Sequence, residues 1–229
     1  MEIIVVSIGA LSKNALWNER VAVRGSHATT TLIRATSGGG EMNLLVDPSL
    51  PAAALESRLY ERAGIKFDAI THVFLTNWRP VHRRALEALG RAVWWMHGPE
   101  IRASEEVLEA AVDRAGRENQ PVDPLVFKER ELLGRVAEAP DELVEDVDLF
   151  PLLGYTPGQC GLLLSEPTRT TVLAGDAVAT QGHFVAGQVL ADCWDLSKAK
   201  ESLGELYEIA DLIIPGHDNL FLTPRAAGL

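Results

Sequence analysis

Short apolar runs, separated by polar or glycine-containing turns, dominate the first part of the chain. Residues 3–8 are rich in β-branched side chains and end at Gly9, and residues 29–35 form a second such run. Residues 42–46 are almost continuously apolar, which is typical of a strand buried on both faces. The glycines at residues 37–41 indicate a hairpin turn between the second and third runs. The pattern predicts that the chain opens with β-strands.

Apolar residues with helical spacing follow this strand-rich region. Residues 51–62 are predicted to form a helix that ends at Gly64, since glycine adopts the left-handed conformation of a helix C-cap at little cost. Residues 100–116 and 197–209 show helical periodicity as well. Further short apolar runs lie among these segments, at residues 93–96, 161–165, 170–175 and 211–214.

The order of these elements predicts an α+β fold of the αββα sandwich type. Strands that begin as hairpins and then alternate with helices pack as two mixed β-sheets with helices on the outer faces. No low-complexity segment divides the chain. We therefore expect residues 1–229 to form a single domain, and this length is sufficient to bury a core without disulfides.

One stretch, residues 71–86, concentrates polar residues suited to a functional site. Residues 72–75 predict a buried strand, which a sharp polar turn connects to a helix that begins near His82. Functional side chains are often placed on such turns, because a rigid scaffold holds them in position. The sequence of the turn is Thr76-Asn77-Trp78-Arg79-Pro80-Val81-His82.

Four further short motifs accompany this turn in a fixed order along the chain. They are Leu45-Val46-Asp47, Gly154-Tyr155-Thr156-Pro157-Gly158, Leu173-Ala174-Gly175-Asp176 and Ile214-Pro215-Gly216-His217. Together with the turn, they resemble the motifs of the metallo-β-lactamase superfamily, which include T-H-x-H-x-D-H and G-H-T-P-G. The resemblance covers most of the chain except residues 99–133. It implies a metallo-β-lactamase-like fold.

In that superfamily, two metal ions lie at one edge of the sandwich, on loops that leave the strand ends. The resemblance implies where the ligands of these ions would lie in this chain. The first-metal positions hold Asn77, Arg79 and Tyr155, the second-metal positions hold Val81, His82 and His217, and the bridging position holds Asp176. Of these residues, His82, Asp176 and His217 keep the ligand types of the family, and the other positions are substituted.

The substituted first-metal position is chemically unsuited to a metal ion. Zinc prefers imidazole, thiolate or carboxylate ligands, whereas Asn77 offers an amide and Arg79 a guanidinium that cannot be deprotonated. A guanidinium about 4 Å from a divalent ion would be repelled by roughly 8 kcal/mol at an effective dielectric constant of about 20. Two placements of Arg79 stay open. It replaces the first metal and pairs with Asp176, or it points to solvent.

His82, Asp176 and His217 suffice for a site with a single metal ion. Two imidazoles and one carboxylate with open positions are the pattern of catalytic zinc and of some iron(II) sites. Such an ion, zinc or alternatively iron or manganese, would lower the pKa of bound water toward about 7 and make Asp176 and His217 catalytic residues. The alternative is that the three residues are metal-free remnants that hydrogen-bond to one another or to water.

Trp78, Arg83 and His183 are further candidates near the same cleft. Trp78 and His183 are candidates to line its wall, and Arg83 is a candidate to attract an anionic ligand together with Arg79. The alternatives are a packing role for Trp78, an exposed helix position for Arg83 and a surface-loop position for His183.

Composition narrows the classes of ligand and compartment. The formal net charge is −11 and the pI is near 5.0, which argues against nucleic acid as a partner because phosphate binding requires clustered Lys and Arg. Cys160 and Cys193 form no recognisable disulfide or metal motif. No apolar run has the length of a membrane span, and the first residues do not have the pattern of a signal peptide, so we expect a cytoplasmic protein. The sequence leaves the oligomeric state open.

Two functions follow from these observations. The first is a hydrolase-like protein in which at most one divalent metal ion activates water. Its substrate stays open because the superfamily acts on lactams, thioesters, lactones and phosphoesters, and a shared fold transfers little about substrate. The second is a metal-free, non-catalytic protein that binds an anionic small molecule or a partner protein in the former active-site cleft.

Overall fold

The computed structural model describes residues 1–37 and 40–226. Within this part of the chain, the strands form two six-stranded sheets. The turn predicted at residues 37–41 falls partly on residues 38 and 39, which lie outside the described residues. The strands on either side of it pair as an antiparallel hairpin, with Ser37 opposite Gly40.

The first sheet has its strands in chain order. They are β1 (Glu2–Ser7), β2 (Thr30–Ser37), β3 (Gly40–Val46), β4 (His72–Leu75), β5 (Val93–Met96) and β6 (Val136–Glu138). Strands β1 to β3 pair antiparallel, and β3 to β6 pair parallel. Parallel pairing requires crossover connections, and these connections carry the helices of this half of the chain.

The second sheet also has its strands in chain order. Its strands are β7 (Glu142–Val144), β8 (Val147–Pro151), β9 (Cys160–Glu166), β10 (Arg169–Gly175), β11 (Leu212–Pro215) and β12 (Phe221–Leu222). Only the β10–β11 pair is parallel among these described strands. The connection between β10 and β11 therefore crosses the sheet.

Five α-helices in the described part of the chain lie on the outer faces. They are α1 (Ala52–Ala63), α2 (Gly98–Arg117), α3 (Pro124–Leu133), α4 (Gln181–Val185) and α5 (Leu196–Ile209). Buried residues of α1 and α3 pack on the first sheet, and buried residues of α4 and α5 pack on the second. Helix α1 ends at Gly64, whose φ of 69° is left-handed, as the sequence predicts.

The alternation of side chains in β3 explains why its last three residues, 44–46, are all apolar. Leu44 and Val46 are fully buried between the two sheets, whereas Leu45 is fully buried beneath the helices on the outer face. A strand segment covered on both faces is typically apolar at successive positions. Two mixed sheets flanked by helices confirm the predicted α+β sandwich, while the expectation of a single domain over residues 1–229 stays a prediction.

The prediction of a helix that begins near His82 is wrong. The structure has two short 3-10 turns there, Pro80–His82 and Leu86–Leu89. In an α-helix, the amide of Ala85 would donate to the carbonyl four residues earlier, but it donates to the Pro48 carbonyl at 2.9 Å. This hydrogen bond ties the turn to the loop after β3 and prevents a regular helix.

No helix in the described ranges has both the length and the apolar character that crossing a membrane requires.

Candidate metal and ligand site

Three side chains that lie far apart in the sequence meet at one edge of the sandwich. His82 lies in the turn after β4, Asp176 directly follows β10, and His217 lies just after β11. One ligating atom from each residue lies within 4.8 Å of the other two, and all three residues are buried. The strand ends thus bring together the group that the sequence singles out.

His82 lies between two buried carboxylates. Its Nδ1 is 2.9 Å from Asp47 Oδ2, and its Nε2 is 2.8 Å from Asp176 Oδ2. Burial alone would lower the pKa of His82, but Asp176 and Asp47 outweigh it and raise this pKa to about 10. The two carboxylates therefore attract a cation at this imidazole, either a proton or a metal ion on Nε2.

Asp176 connects the two histidines and Asn77. Its Oδ2 accepts from the Asn77 amide at 3.2 Å, and the Nε2 of His217 lies 2.9 Å from its Oδ1. The latter contact is too poorly aligned for a hydrogen bond, so Oδ1 has no hydrogen-bond partner among the described residues. Burial would raise the pKa of Asp176, but His82 and His217 hold it well below its usual range. A buried, ionised oxygen without a donor is a suitable ligand for a cation.

Additional contacts fix the orientation of both imidazoles. Asp47, which holds His82, also accepts from the amide and the hydroxyl of Thr76, at 2.9 and 2.7 Å. The Nδ1 of His217 lies 2.9 Å from the His27 carbonyl, which can only accept, so Nδ1 carries a proton and Nε2 is the nitrogen that faces Asp176. Carboxylate and carbonyl partners of this kind are typical of metal-binding histidines.

Two imidazole nitrogens and a carboxylate oxygen are ligand types that divalent metal ions accept. Their spacing, however, is that of hydrogen bonds. Ligand atoms around a tetrahedral ion with bonds of about 2.1 Å lie roughly 3.4 Å apart, whereas His82 Nε2 and Asp176 Oδ2 are 2.8 Å apart. Binding an ion therefore requires His82 to release the proton from Nε2 and this contact to widen by about 0.6 Å.

A cleft of about 630 Å³ opens beside the cluster, and His217 contributes to its wall. Part of its wall is apolar and is formed by Leu11, Ala15, Pro80, Val81, Val189, Leu190 and Ala191. His183 also lines the cleft and is buried, with Nδ1 2.8 Å from Thr180 Oγ1. Burial and then His217 lower the pKa of His183. The surface-loop alternative for His183 is therefore wrong.

A second cavity of about 490 Å³ adjoins the cleft, and Arg79, Tyr155 and Asp192 line both. The Arg79 guanidinium lies 4.2 Å from the centre of the Tyr155 ring. Its Nη1 donates to Asp192 Oδ2 at 3.0 Å, and its Nη2 donates to the Asp192 carbonyl at 3.3 Å. Arg79 thus neither pairs with Asp176 nor extends freely into solvent, because the aromatic ring and Asp192 hold it.

The other substituted ligand positions also lie around Asp176 and the cleft. Asn77 is fully buried, and its Oδ1 accepts from the Arg79 amide at 3.0 Å. Tyr155 is buried, and burial followed by the charge of Asp176 raises the pKa of its hydroxyl, which therefore stays protonated. Val81 contributes an apolar wall where the family has an acid. The substitutions replace metal ligands with an amide, a phenol, a guanidinium and an isopropyl group.

Trp78 and Arg83 do not line either cavity, contrary to their candidacy as ligand contacts. The Arg83 guanidinium stacks on the Trp78 ring at 3.9 Å and pairs with Glu129 of α3. The Trp78 indole also donates to Glu129, at 3.1 Å. These contacts hold the turn against α3, so both residues have a packing role.

We expect Arg83→Lys to lower the free energy of unfolding by about 1–2 kcal/mol, because an ammonium cannot reproduce the forked, stacked geometry of a guanidinium. Chemical denaturation measures this loss, and the exposed neighbour Arg84→Lys is the matched control. Equal stability of the two variants would contradict the packing role.

Glu100, in the first turn of α2, is a structural residue of the site that sequence reasoning missed. Its Oε1 accepts from the Trp78 amide at 3.0 Å, and its Oε2 accepts from the Thr156 hydroxyl at 2.7 Å and the Gly158 amide at 3.0 Å. A Cβ at Gly158 would lie 2.1 Å from the Glu100 amide nitrogen, so only glycine permits this approach. Glu100 thereby joins the turn after β4 to the turn that carries Tyr155.

Asp192 was also missed, since it lies 113 positions from Arg79 in a segment without a motif. Glu100 did offer one signal. It is an acid in the first helical turn directly after Pro99, a position typical of helix starts. No comparable signal in the sequence identifies Asp192 as the partner of Arg79.

The two sheets, the outer helices and the buried His–Asp–His group at one edge together define the metallo-β-lactamase fold. A comparison with solved structures supports this class. A Thermotoga maritima protein described as a candidate metallo-β-lactamase is 17% identical over 96% of this chain and 98% of its own, with a TM-score of 0.67. The resemblance seen in the sequence is confirmed as a shared fold.

Two lactonases have the same fold. A quorum-quenching N-acyl homoserine lactone lactonase is 18% identical over 94% of this chain and 90% of its own, with a TM-score of 0.61. AidC, a dizinc quorum-quenching lactonase in complex with a product, is 14% identical over 85% of this chain and 75% of its own, with a TM-score of 0.62. No protein-family model matches the chain, and no curated protein matches it either.

Proposed function

We propose that this chain is a hydrolase of the metallo-β-lactamase fold that acts on a small molecule with a single divalent metal ion. His82, Asp176 and His217 would hold the ion, and the cleft of about 630 Å³ would hold the substrate. Zinc is the proposed metal, with iron and manganese as alternatives, because two imidazoles and one carboxylate suit all three. The loss of the first-metal ligands limits the site to one ion.

The observation that carries this proposal is the environment of Oδ1 of Asp176. This oxygen is buried and has no well-aligned hydrogen-bond donor among the described residues, although Nε2 of His217 lies 2.9 Å away. The Nδ1 atoms of His82 and His217 have fixed partners, so the Nε2 atom of each imidazole faces Asp176. A protein rarely leaves an ionised oxygen in this state unless a cation or water completes the site. Relatives in fold that bind small-molecule products support the ligand class.

The ion, when bound, would supply Lewis acidity and lower the pKa of a bound water toward about 7. The chain itself would orient the imidazoles through Asp47 and the His27 carbonyl. Tyr155 would contribute a protonated hydroxyl beside the cleft. The apolar wall at Val81 would exclude water from the side where the family places an acid.

The metal content of the purified protein tests this proposal. After growth with zinc, iron or manganese supplied, we expect close to one equivalent of one metal, and at least a tenfold loss in Asp176→Asn, because the amide cannot supply the anionic ligand. Asp192→Asn is the matched control, since Asp192 lines the same cleft outside the cluster. Less than about a tenth of an equivalent in the unmodified protein would reject the metal-dependent function.

One observation favours a second candidate, a metal-free protein that binds an anionic small molecule. The two nitrogens of His82 lie within hydrogen-bond distance of both carboxylates, 2.9 Å from Asp47 Oδ2 and 2.8 Å from Asp176 Oδ2, so that His82 links Asp47 to Asp176. A His82 imidazole with a proton on each nitrogen then donates to one oxygen of each carboxylate without a metal. Stoichiometric metal would exclude this candidate, whereas its absence, together with ligand binding in the cleft, would establish it.

A further inference from the structure

We propose that Arg79 and Tyr155 form a binding site for a carboxylate group of the ligand, and that Asp192 occupies this site as an internal competitor. This inference deepens the ligand-binding part of the proposed function. It does not require the metal ion, because none of the three residues belongs to the His82–Asp176–His217 group.

The contacts of Arg79 already have the pattern of carboxylate recognition. A guanidinium presents its N–H groups as a planar fork that matches two oxygens at once. In this structure one oxygen is the Asp192 carboxylate, 3.0 Å from Nη1, and the other is the Asp192 carbonyl, 3.3 Å from Nη2. Asp192 thus satisfies the fork with only one of its carboxylate oxygens, whereas a ligand carboxylate would offer two.

The Arg79–Asp192 pair is also exchangeable. The side chains of Arg79 and Asp192 are 37% and 66% exposed. Exposed ion pairs of this kind stabilise a structure only weakly. A carboxylate that enters the cleft can therefore displace the Asp192 side chain at little cost in free energy. The Tyr155 ring, which stacks on the Arg79 guanidinium, would keep Arg79 in place during this exchange.

Tyr155, which lines the same two cavities as Arg79, supplies a second donor. Its hydroxyl makes no hydrogen bond within residues 1–37 and 40–226, although the residue is only 7% exposed. A phenol whose proton is retained can donate to an anionic oxygen. Arg79 and Tyr155 together offer a charged donor pair and a neutral donor on one wall.

The surroundings define the rest of the ligand. Arg79, Tyr155 and Asp192 lie where the cavities of about 630 and 490 Å³ meet. The smaller cavity is lined by further apolar side chains, namely Ala103, Val107, Ala110, Pro157 and Trp194. A carboxylate bound at Arg79 thus has apolar space on both sides. The matching ligand class is an amphipathic carboxylic acid, with hydrocarbon groups next to the charged head.

Calorimetric titration with octanoate tests the site. We expect Asp192→Asn to bind octanoate about 2- to 5-fold more tightly than the unmodified protein, because the competing charge is removed. Arg79→Gln should bind it at least about tenfold more weakly. Glu106→Gln is the matched control, because it removes an acid that lines the smaller cavity and makes no hydrogen bond or ion pair with Arg79 among the described residues. It should leave the affinity within about twofold.

Three outcomes would overturn the proposal. They are unchanged or weaker octanoate binding in Asp192→Asn, equal binding of uncharged 1-octanol by the unmodified protein, and loss of binding in Lys13→Gln rather than in Arg79→Gln. Lys13 is another cation that lines the cleft of about 630 Å³. Thermal melting of each variant establishes that it folds. Because the side chains of Arg79 and Asp192 are exposed by more than a third, we expect their substitution to leave the core intact.

Repeating the titration after treatment with a chelator separates this inference from the proposed hydrolase function. Octanoate binding that persists without metal and depends on Arg79 supports the carboxylate site, whatever the metal content. Binding that disappears with the metal assigns the carboxylate to the ion instead and rejects the role of Arg79.

Discussion

Glu100→Ala is expected to lower the free energy of unfolding by about 3–5 kcal/mol. The carboxylate is buried and accepts three hydrogen bonds, from the Trp78 amide, the Thr156 hydroxyl and the Gly158 amide. Alanine would leave all three donors without a partner in a site too enclosed for full hydration. The loss should therefore exceed that of an ordinary surface substitution several-fold.

Chemical denaturation measures this effect. Glu105→Ala, an exposed acid one turn further along α2, is the matched control and should change stability by no more than about 0.5 kcal/mol. Glu100→Gln should lie between the two, since it keeps one acceptor and converts the other into a donor. A loss below about 1 kcal/mol for Glu100→Ala would show that water replaces the carboxylate.

Asp47→Asn is expected to have the second-largest effect, on both stability and metal affinity. Asp47 is 1% exposed and accepts from Thr76 and from Nδ1 of His82. An asparagine that accepts from the Thr76 amide turns its own NH₂ group toward His82. The imidazole must then carry its proton on Nε2, the atom that would bind the metal.

We expect the free energy of unfolding of this variant to fall by about 1–3 kcal/mol. Its metal affinity should fall about 10- to 100-fold, which is the usual effect of mutating a carboxylate that orients a metal-binding histidine. The backbone does not complicate the test, because Asp47 has a φ of 48° and asparagine tolerates the left-handed region. Asp146→Asn, at an exposed position with a φ of 66°, is the matched control. Retained metal affinity in Asp47→Asn would contradict the orienting role of Asp47.

The fold could be predicted from the sequence because its determinants are local or follow in chain order. Continuous apolar runs such as residues 42–46 identify strands buried on both faces, and Gly64 marks the end of α1. The motifs place His82, Asp176 and His217 at strand ends, where the structure brings them together. The helix predicted after β4 does not form, because the amide of Ala85 donates to the distant Pro48 carbonyl instead of to a carbonyl within the helix.

The contacts of individual side chains in the site could not be predicted in the same way. Arg79 and Arg83 are four positions apart and chemically identical, yet one lies over Tyr155 and the other is stacked on Trp78. Their partners, Asp192 and Glu129, come from segments outside every motif. Which of the two arginines faces the cleft depends on tertiary packing and cannot be predicted from the local sequence.

The carbonyl of Asp192 has a thermodynamic consequence for any ligand of Arg79. An arginine side chain carries roughly 2 kcal/mol of rotamer entropy, much of which is lost when a ligand immobilises it. Here the carbonyl at 3.3 Å and the Tyr155 ring at 4.2 Å restrain the guanidinium independently of the Asp192 carboxylate. Arg79 is therefore preorganised before a ligand arrives, so that even a weakly bound carboxylate would meet a receptor whose conformational freedom is already reduced.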